Sequence, residues 1–283
     1  MTQIVLVHGI GQEVKGPGTL LADLYPALSD GLALAGSEIA PDKVSMAFYG
    51  DIFRRPGQRD LGSPEPDASD VTDPLDYALL LAWWKEAGCA EPNVPGPHDP
   101  VRLRTPYPIQ QALDALSHSK FFAEISERLL ILSVRQVRRY FSEPAARTAA
   151  QARVASCVTA NTQVIVAHSL GSVVAYETLC AHPEWTEIAL VTLGSPLGIR
   201  NLIFDRLQPA PTAGKGHWPP AVTQWTNIAD RGDVVALVKE LSPSFGTGVS
   251  DVLVHNGAKA HDARPYLTAR ETGQAVAAGI ART

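Results

Sequence analysis

The pentapeptide Ala167-His168-Ser169-Leu170-Gly171 follows the apolar run Gln163-Val164-Ile165-Val166 and opens a small-residue segment, 171–179. That order predicts a serine at the corner between a strand and a helix, where a sharp turn projects the hydroxyl away from the backbone. Such a corner needs tiny neighbours, because strand and helix nearly collide around it. Gly171 and Ser172 meet the requirement on the helix side. On the strand side, Ala167 stands where a G-x-S-x-G pattern has its first glycine, which adds one methyl group. A serine hydroxyl is a weak nucleophile at neutral pH, so it needs a base to take its proton and a carboxylate to orient that base.

The base and the acid are sought downstream. Residues 222–229 alternate like a strand and run into Asp230-Arg231-Gly232-Asp233-Val234-Val235, which puts two aspartates at a strand tip. Either could serve as the acid, and Asp230 could instead cap the turn through its side chain. Asp251-Val252-Leu253-Val254 reads as a final strand, with His255 at its end and His261 on the loop beyond it. A loop can swing an imidazole toward Ser169, whereas the pleat aims a side chain within a strand, so His261 is the better base. His168 should point away from its neighbour as a packing or cleft residue. His98, His118, His182 and His217 have no spacing that suggests a metal site.

At the other end of the chain, Gln3-Ile4-Val5-Leu6-Val7 reads as a buried strand running into His8-Gly9-Ile10-Gly11. A strand ending in His-Gly-x-Gly looks like an oxyanion loop, whose glycines let the Ile10 N–H point at a carbonyl oxygen. A second donor would be the Leu170 N–H, where a helix N-terminus also favours negative charge. His8 itself is expected to be structural, holding the loop by hydrogen bonds.

These motifs, together with Thr192-Leu193-Gly194-Ser195-Pro196-Leu197-Gly198, occur in an order that resembles the α/β-hydrolase superfamily, most of all its lipases and esterases. The resemblance covers 1–50 and 155–283. Asp-Val-Val after a glycine turn is similar to the family's acid loop, which favours Asp233 over Asp230. The family implies an α/β fold with a mainly parallel sheet and helices on both faces, a covalent acyl-enzyme, and no cofactor or metal. The two N-terminal strands of a full-size member have no counterpart, so a shortened sheet is expected. On this resemblance the chain is a serine hydrolase of carboxylic esters with an apolar acyl group. Ser169, Asp233 and His261 form the triad, and the Ile10 and Leu170 N–H groups the oxyanion hole. The same apparatus serves thioesterases, phospholipases and acyltransferases, and a catalytically silent hydrolase fold used as a binding module is the reading of a different class. Ser195 precedes a proline, which prevents a helix from following it, and reads as a turn residue of the cleft.

The elements that must position these groups follow a βα order. A helix is expected over 18–34, a strand over 44–49 and a closing helix over 270–280. The whole chain reads as one domain, 1–283, carrying a cap or lid insertion at 51–145. Ten of the chain's 22 prolines fall between Asp51 and Ser119, so that stretch should be rich in loops, its acidic part 60–76 solvated and mobile. Within it, Asp73 as N-cap, Pro74 in the first turn and Gly88 at the end bracket a helix apolar on most sides. That helix is read as a lid able to rest transiently on a membrane surface. A second helix is expected over 120–141, with Phe121, Phe122, Ile125, Leu129, Leu132 and Val137 packed to one side and Arg135, Arg138 and Arg139 exposed. A net charge of −5 and the lack of a long basic run argue against nucleic acid as partner and leave a small-molecule or lipid acyl ester. Cys89, Cys157 and Cys180 are expected to be reduced. With no apolar run long enough to span a bilayer and no leader pattern before the first strand, a cytoplasmic location is expected.

Overall fold

The computed structural model describes residues 2–54, 66–97, 108–119 and 127–281. Along the chain the elements are β1 (Ile4–Val7), α1 (Pro17–Leu34), β2 (Val44–Ala47), α2 (Pro74–Ala90), α3 (Pro108–His118), α4 (Glu127–Ser142) and α5 (Pro144–Ala155). They continue with β3 (Val164–His168), α6 (Leu170–Ala181), β4 (Ile188–Leu193), β5 (Val222–Asp230), α7 (Ser242–Phe245), β6 (Val249–Val254), α8 (Ala263–Thr268) and α9 (Arg270–Ile280). The strands form one six-stranded sheet in the order β2-β1-β3-β4-β5-β6, parallel throughout.

Both faces of this α/β sheet are covered, which is why its central strands read as unbroken apolar runs. Successive side chains alternate between the faces. Ile4, Leu6, Val164 and Val166 pack with Leu28 and Leu32 of α1, Leu267 of α8 and Val276 of α9. Val5, Val7, Ile165 and Ala167 pack on the opposite side with Val173 and Val174 of α6 and with α2, α3, α4 and α5.

The strand order places the site. β1 and β3 are neighbours, yet α1 leaves β1 toward one face and α6 leaves β3 toward the other. Their loops therefore part company at the carboxyl ends of the strands and open a crevice between them. His8-Gly9-Ile10-Gly11 and Ser169 both lie there.

The insertion is more ordered than its prolines suggest. Pro108 and Pro144 occupy first turns of α3 and α5, where a missing N–H costs nothing, and so open helices rather than break them. Asp73 caps α2 by accepting the Leu75 N–H, as expected, but the helix runs past Gly88 to Ala90. Gly88 is instead a contact point, since a Cβ there would lie 2.9 Å from the Gly96 Cα. The apolar side of α2 is buried among α3, α4 and the sheet, through Leu75, Leu79, Leu80, Trp83 and Trp84. Large exposed apolar side chains among the described residues are Val14, Leu34, Leu129 and Leu253, none of them on α2.

In α4 the packed side is Leu130, Ile131, Val134 and Val137, and Leu129 is exposed. The expected start of this helix, with Phe121, Phe122 and Ile125, lies outside the described residues. Its arginines are not left in solvent. Arg135 pairs with Asp70 at 2.7 Å, Arg138 with the buried Asp76 at 3.1 Å, and Arg139 with Glu143 at 2.9 Å. The acidic stretch is thus folded where it is described. Asp67 and Asp70 make a reciprocal capping box, and Asp76, shut away from water and facing Arg138, has its carboxyl pushed above the usual range by burial.

A buried network ties the insertion to the body. Glu177 of α6, 1 % exposed, accepts from Tyr140 Oη of α4 at 2.5 Å, Gln151 Nε2 of α5 at 2.9 Å and the Gln208 N–H at 2.9 Å. Arg147 of α5 reaches the same carboxylate with two nitrogens and also donates to the Arg206 carbonyl. Removing one partner of such a buried pair strands the other charge. Arg147→Leu is expected to lower the free energy of unfolding by about 3–5 kcal/mol, read from urea midpoints. A loss no larger than that of an exposed ion pair would show that water reaches Glu177.

Candidate active site

Ser169 follows the last residue of β3 and serves as N-cap of α6, with φ of 52° and ψ of −130°. A non-glycine residue in that region is strained, and here the surroundings enforce it. The helix starts so close to β1 that a Cβ on Gly171 would lie 2.3 Å from the His8 carbonyl oxygen. Ala167 tolerates its methyl because that position faces the core, fully buried. Ser172, the other small neighbour, donates to the Ser169 carbonyl at 2.7 Å and meets Ser195 Oγ at 2.7 Å. Ser195 is accordingly held beneath the helix, 2 % exposed, rather than lining a cleft.

The loop after β6 brings His261 over the sheet edge. Its Nε2 lies 2.9 Å from Ser169 Oγ, and its Nδ1 lies 2.8 Å from Asp233 Oδ2. A carboxylate only accepts, so Nδ1 carries the hydrogen and Nε2 is free to accept from the serine hydroxyl. Ser169, His261 and Asp233, 92 and 28 residues apart along the chain, are thereby joined in one file.

Asp233, fully buried, is a saturated acceptor. Its Oδ1 accepts the N–H groups of Val235 at 2.9 Å and Ala236 at 3.1 Å, and its Oδ2 accepts from His261 and from Tyr266 Oη at 2.8 Å. Burial opposes ionisation, but His261 and these hydrogen bonds outweigh it and hold the carboxyl below its ordinary value. Burial and the Asp233 charge raise the Tyr266 hydroxyl, which keeps its proton for that bond. Lys239 closes the turn by donating to the Asp233 and Ala236 carbonyls. Asp230, the other candidate acid, faces elsewhere. It accepts the Gly232 N–H at 2.6 Å and the Asn256 N–H, the turn-capping role open to it from the sequence. His255 is largely exposed at the end of β6, 3.8 Å from Asp230.

Tyr266, Lys239 and Gly194 escaped the sequence reading as parts of the site. Gly194, with φ of 54°, ends β4 against Asp233 and His261, and a Cβ there would lie 2.8 Å from Asp233 Oδ2. The glycine inside Leu193-Gly194-Ser195-Pro196 was a signal that close approach was needed. The partners of Tyr266 and Lys239 cannot be inferred from local spacing.

On the opposite wall, His8 is structural, as expected. Its Nδ1 donates to the Gly9 carbonyl at 2.6 Å, its Nε2 accepts the Tyr49 N–H at 3.0 Å, and Tyr49 Oη donates to the His8 carbonyl at 2.6 Å. Among the described residues neither the Ile10 nor the Leu170 N–H has an acceptor. His168 turns away from Ser169 and donates from Nε2 to the His261 carbonyl at 2.8 Å, tying down the base loop. No protein-family model matches the chain, and no curated protein or solved structure matches it either. Among the described residues no group of three or more His, Cys, Asp or Glu is placed to hold a metal ion, and no helix is long and apolar enough to cross a membrane. Cys89, Cys157 and Cys180 are free thiols.

Two histidines of this site are held neutral. Burial brings His8 from the ordinary 6.5 down to about 4, and burial with the neighbouring His261 brings His168 down to about 3. The unfolded chain binds these protons below pH 6.5 and the folded chain refuses them, so stability falls as pH is lowered through that window. Each site contributes up to about 1.4 kcal/mol per pH unit between 6.5 and its folded value. Asp233, whose folded value is depressed, adds a loss only below the ordinary carboxylate range. Urea unfolding from pH 7 to 4.5 is expected to show this slope, and His168→Gln, which retains a donor, should reduce it by half. An unchanged slope in that variant would remove His168 from the account.

Proposed function

We propose that the chain is a serine hydrolase of the α/β-hydrolase type that cleaves carboxylic esters with an apolar acyl group. The observation that carries the reading is the unbroken file Ser169 Oγ, His261 Nε2, His261 Nδ1, Asp233 Oδ2, with hydrogen-bond distances of 2.9 and 2.8 Å.

Ser169 Oγ attacks the ester carbonyl as His261 Nε2 takes its proton, and Asp233 holds the imidazole in the required tautomer and stabilises the imidazolium. The oxyanion is met by the N–H groups of Ile10 and Leu170, the second at the positive end of α6. His261 then protonates the departing alkoxide, leaving an acyl group on Ser169, and water reverses the sequence to release the acid. A neutral His168 beside His261 spares the transient imidazolium a like charge.

The preference for an apolar acyl group rests on the cover. Ser169 is only 2 % exposed. Gln136 of α4 bonds to Gly11, and Glu86 of α2 acts electrostatically on Lys239 in the acid loop. The helices of the insertion therefore reach from one wall of the site to the other, carrying Leu80, Trp83 and Trp84 in a core that Ile10 and Val238 also join. On this reading α2 is a lid whose displacement admits substrate.

Purified protein is expected to react with a fluorophosphonate probe at Ser169 and to hydrolyse p-nitrophenyl esters. Ser169→Ala should lower kcat on the order of a thousandfold or more with the melting temperature maintained. Asp233→Asn should lose far more activity than Asp230→Asn. An unlabelled protein that is inert on esters, acyl thioesters and phospholipids alike would instead mark a silent binding module. Preference for thioesters or phospholipids within that panel would move the substrate class without touching the triad.

A further inference from the structure

The loop that carries the Ile10 N–H is clamped from two sides, and only one of the clamps belongs to the sheet. Its beginning is held by Tyr49, which follows β2 and bonds both the imidazole and the carbonyl of His8. Its far end is held by Gln136, a buried side chain of α4 that comes from the insertion, 125 residues away. Gln136 Oε1 accepts the Gly11 N–H at 3.0 Å, and Gln136 Nε2 donates to Glu13 Oε2 at 2.8 Å. Glu13 is buried too, and Arg54 Nε donates to its carbonyl at 3.1 Å. Gly11 has a φ of 76°, a turn that glycine adopts freely and therefore does not hold by itself.

We infer that Gln136 is a positioning residue for the oxyanion loop. The inference rests on the hydrolase reading above and deepens it, because it makes the insertion part of the apparatus that stabilises the transition state and not merely its cover. The carboxamide is the one uncharged side-chain group of this length that accepts from an N–H at one atom and donates to a carboxylate at the other. With both bonds made, the peptide between Ile10 and Gly11 is fixed and the adjoining Ile10 N–H keeps its aim. With them broken, the loop keeps its β1 end and the Arg54 bond at Glu13 but loses its tie to α4 at Gly11. Oxyanion donors act through geometry set before the reaction, so a loosened loop costs turnover more than it costs substrate binding.

The test is steady-state kinetics on a short p-nitrophenyl ester, well below the melting temperature of each variant. Gln136→Met keeps the length of the side chain and removes both bonds. It should lower kcat by roughly ten- to a hundredfold while KM changes by less than about threefold. Gln136→Glu sets two carboxylates against each other and should lose at least as much. Adding Glu13→Gln to that variant restores a donor–acceptor pair in mirror image and should recover much of the kcat. Hydrogen exchange supplies a readout independent of turnover, with the Gly11 amide exchanging faster in Gln136→Met than in the parent. A Gln136→Met protein with parental kcat, or with a loss confined to KM, overturns the positioning role while leaving the hydrolase reading intact. So does a double variant no better than Gln136→Glu alone. A parent that neither labels nor hydrolyses overturns both.

Discussion

At this site the end of β1 meets the first turn of α6 main chain to main chain. Gly171 presses on the His8 carbonyl at a distance that admits no side chain. That contact fixes what lies on either side of it. It holds Ser169 in a backbone conformation that a serine does not choose, and it sets the N-terminus of α6 against the loop that carries Ile10. It exists because β1 and β3 are neighbours whose helices leave for opposite faces, so that α6 starts directly against the end of β1. The strained Ser169 and the Ile10 and Leu170 N–H groups, which have no acceptor among the described residues, thus share one crowded junction.

Electrostatics complete what that contact begins. A charge as deeply buried as that of Asp233 is tolerable only when its lone pairs are filled, and four donors fill them. The two remaining histidines near the site, His8 and His168, are held uncharged and each spends a ring N–H on a carbonyl. His261 is then the one imidazole of the three whose ring bridges a hydroxyl and a carboxylate. A positive charge appearing on it would meet the Asp233 carboxylate, with His8 and His168 held neutral.

What could be read from the sequence was what is local. The corner at Ser169, the turn at Gly9 and Gly11, and the loop placement of His261 each follow from a few adjacent residues, and the structure brings them together. Asp233 and Asp230 sit three residues apart on one turn, so their separation into partner of His261 and turn cap needed coordinates. Proline misled where it opens a helix, as at Pro108, because the same residue ends one element and begins another. Arg135 and Arg138 of α4 read as solvent-facing because their carboxylate partners, Asp70 and Asp76, lie more than sixty residues away. Tyr266, Lys239 and Gly194 were illegible as parts of the site for a related reason. Each matters through a contact across the fold, and single residues carry no mark of a distant partner.

The Glu177 network sets bounds on how this molecule can breathe. Tyr140 anchors the last turns of α4 to the back of the helix that begins at Ser169, while Arg147 and Gln151 anchor α5 to the same carboxylate. The insertion is therefore riveted to the body at its downstream end. Any displacement of the insertion's helices would have to occur upstream of Tyr140. Helix α6, gripped from behind by three side chains, is the part of the site most firmly tied to the insertion.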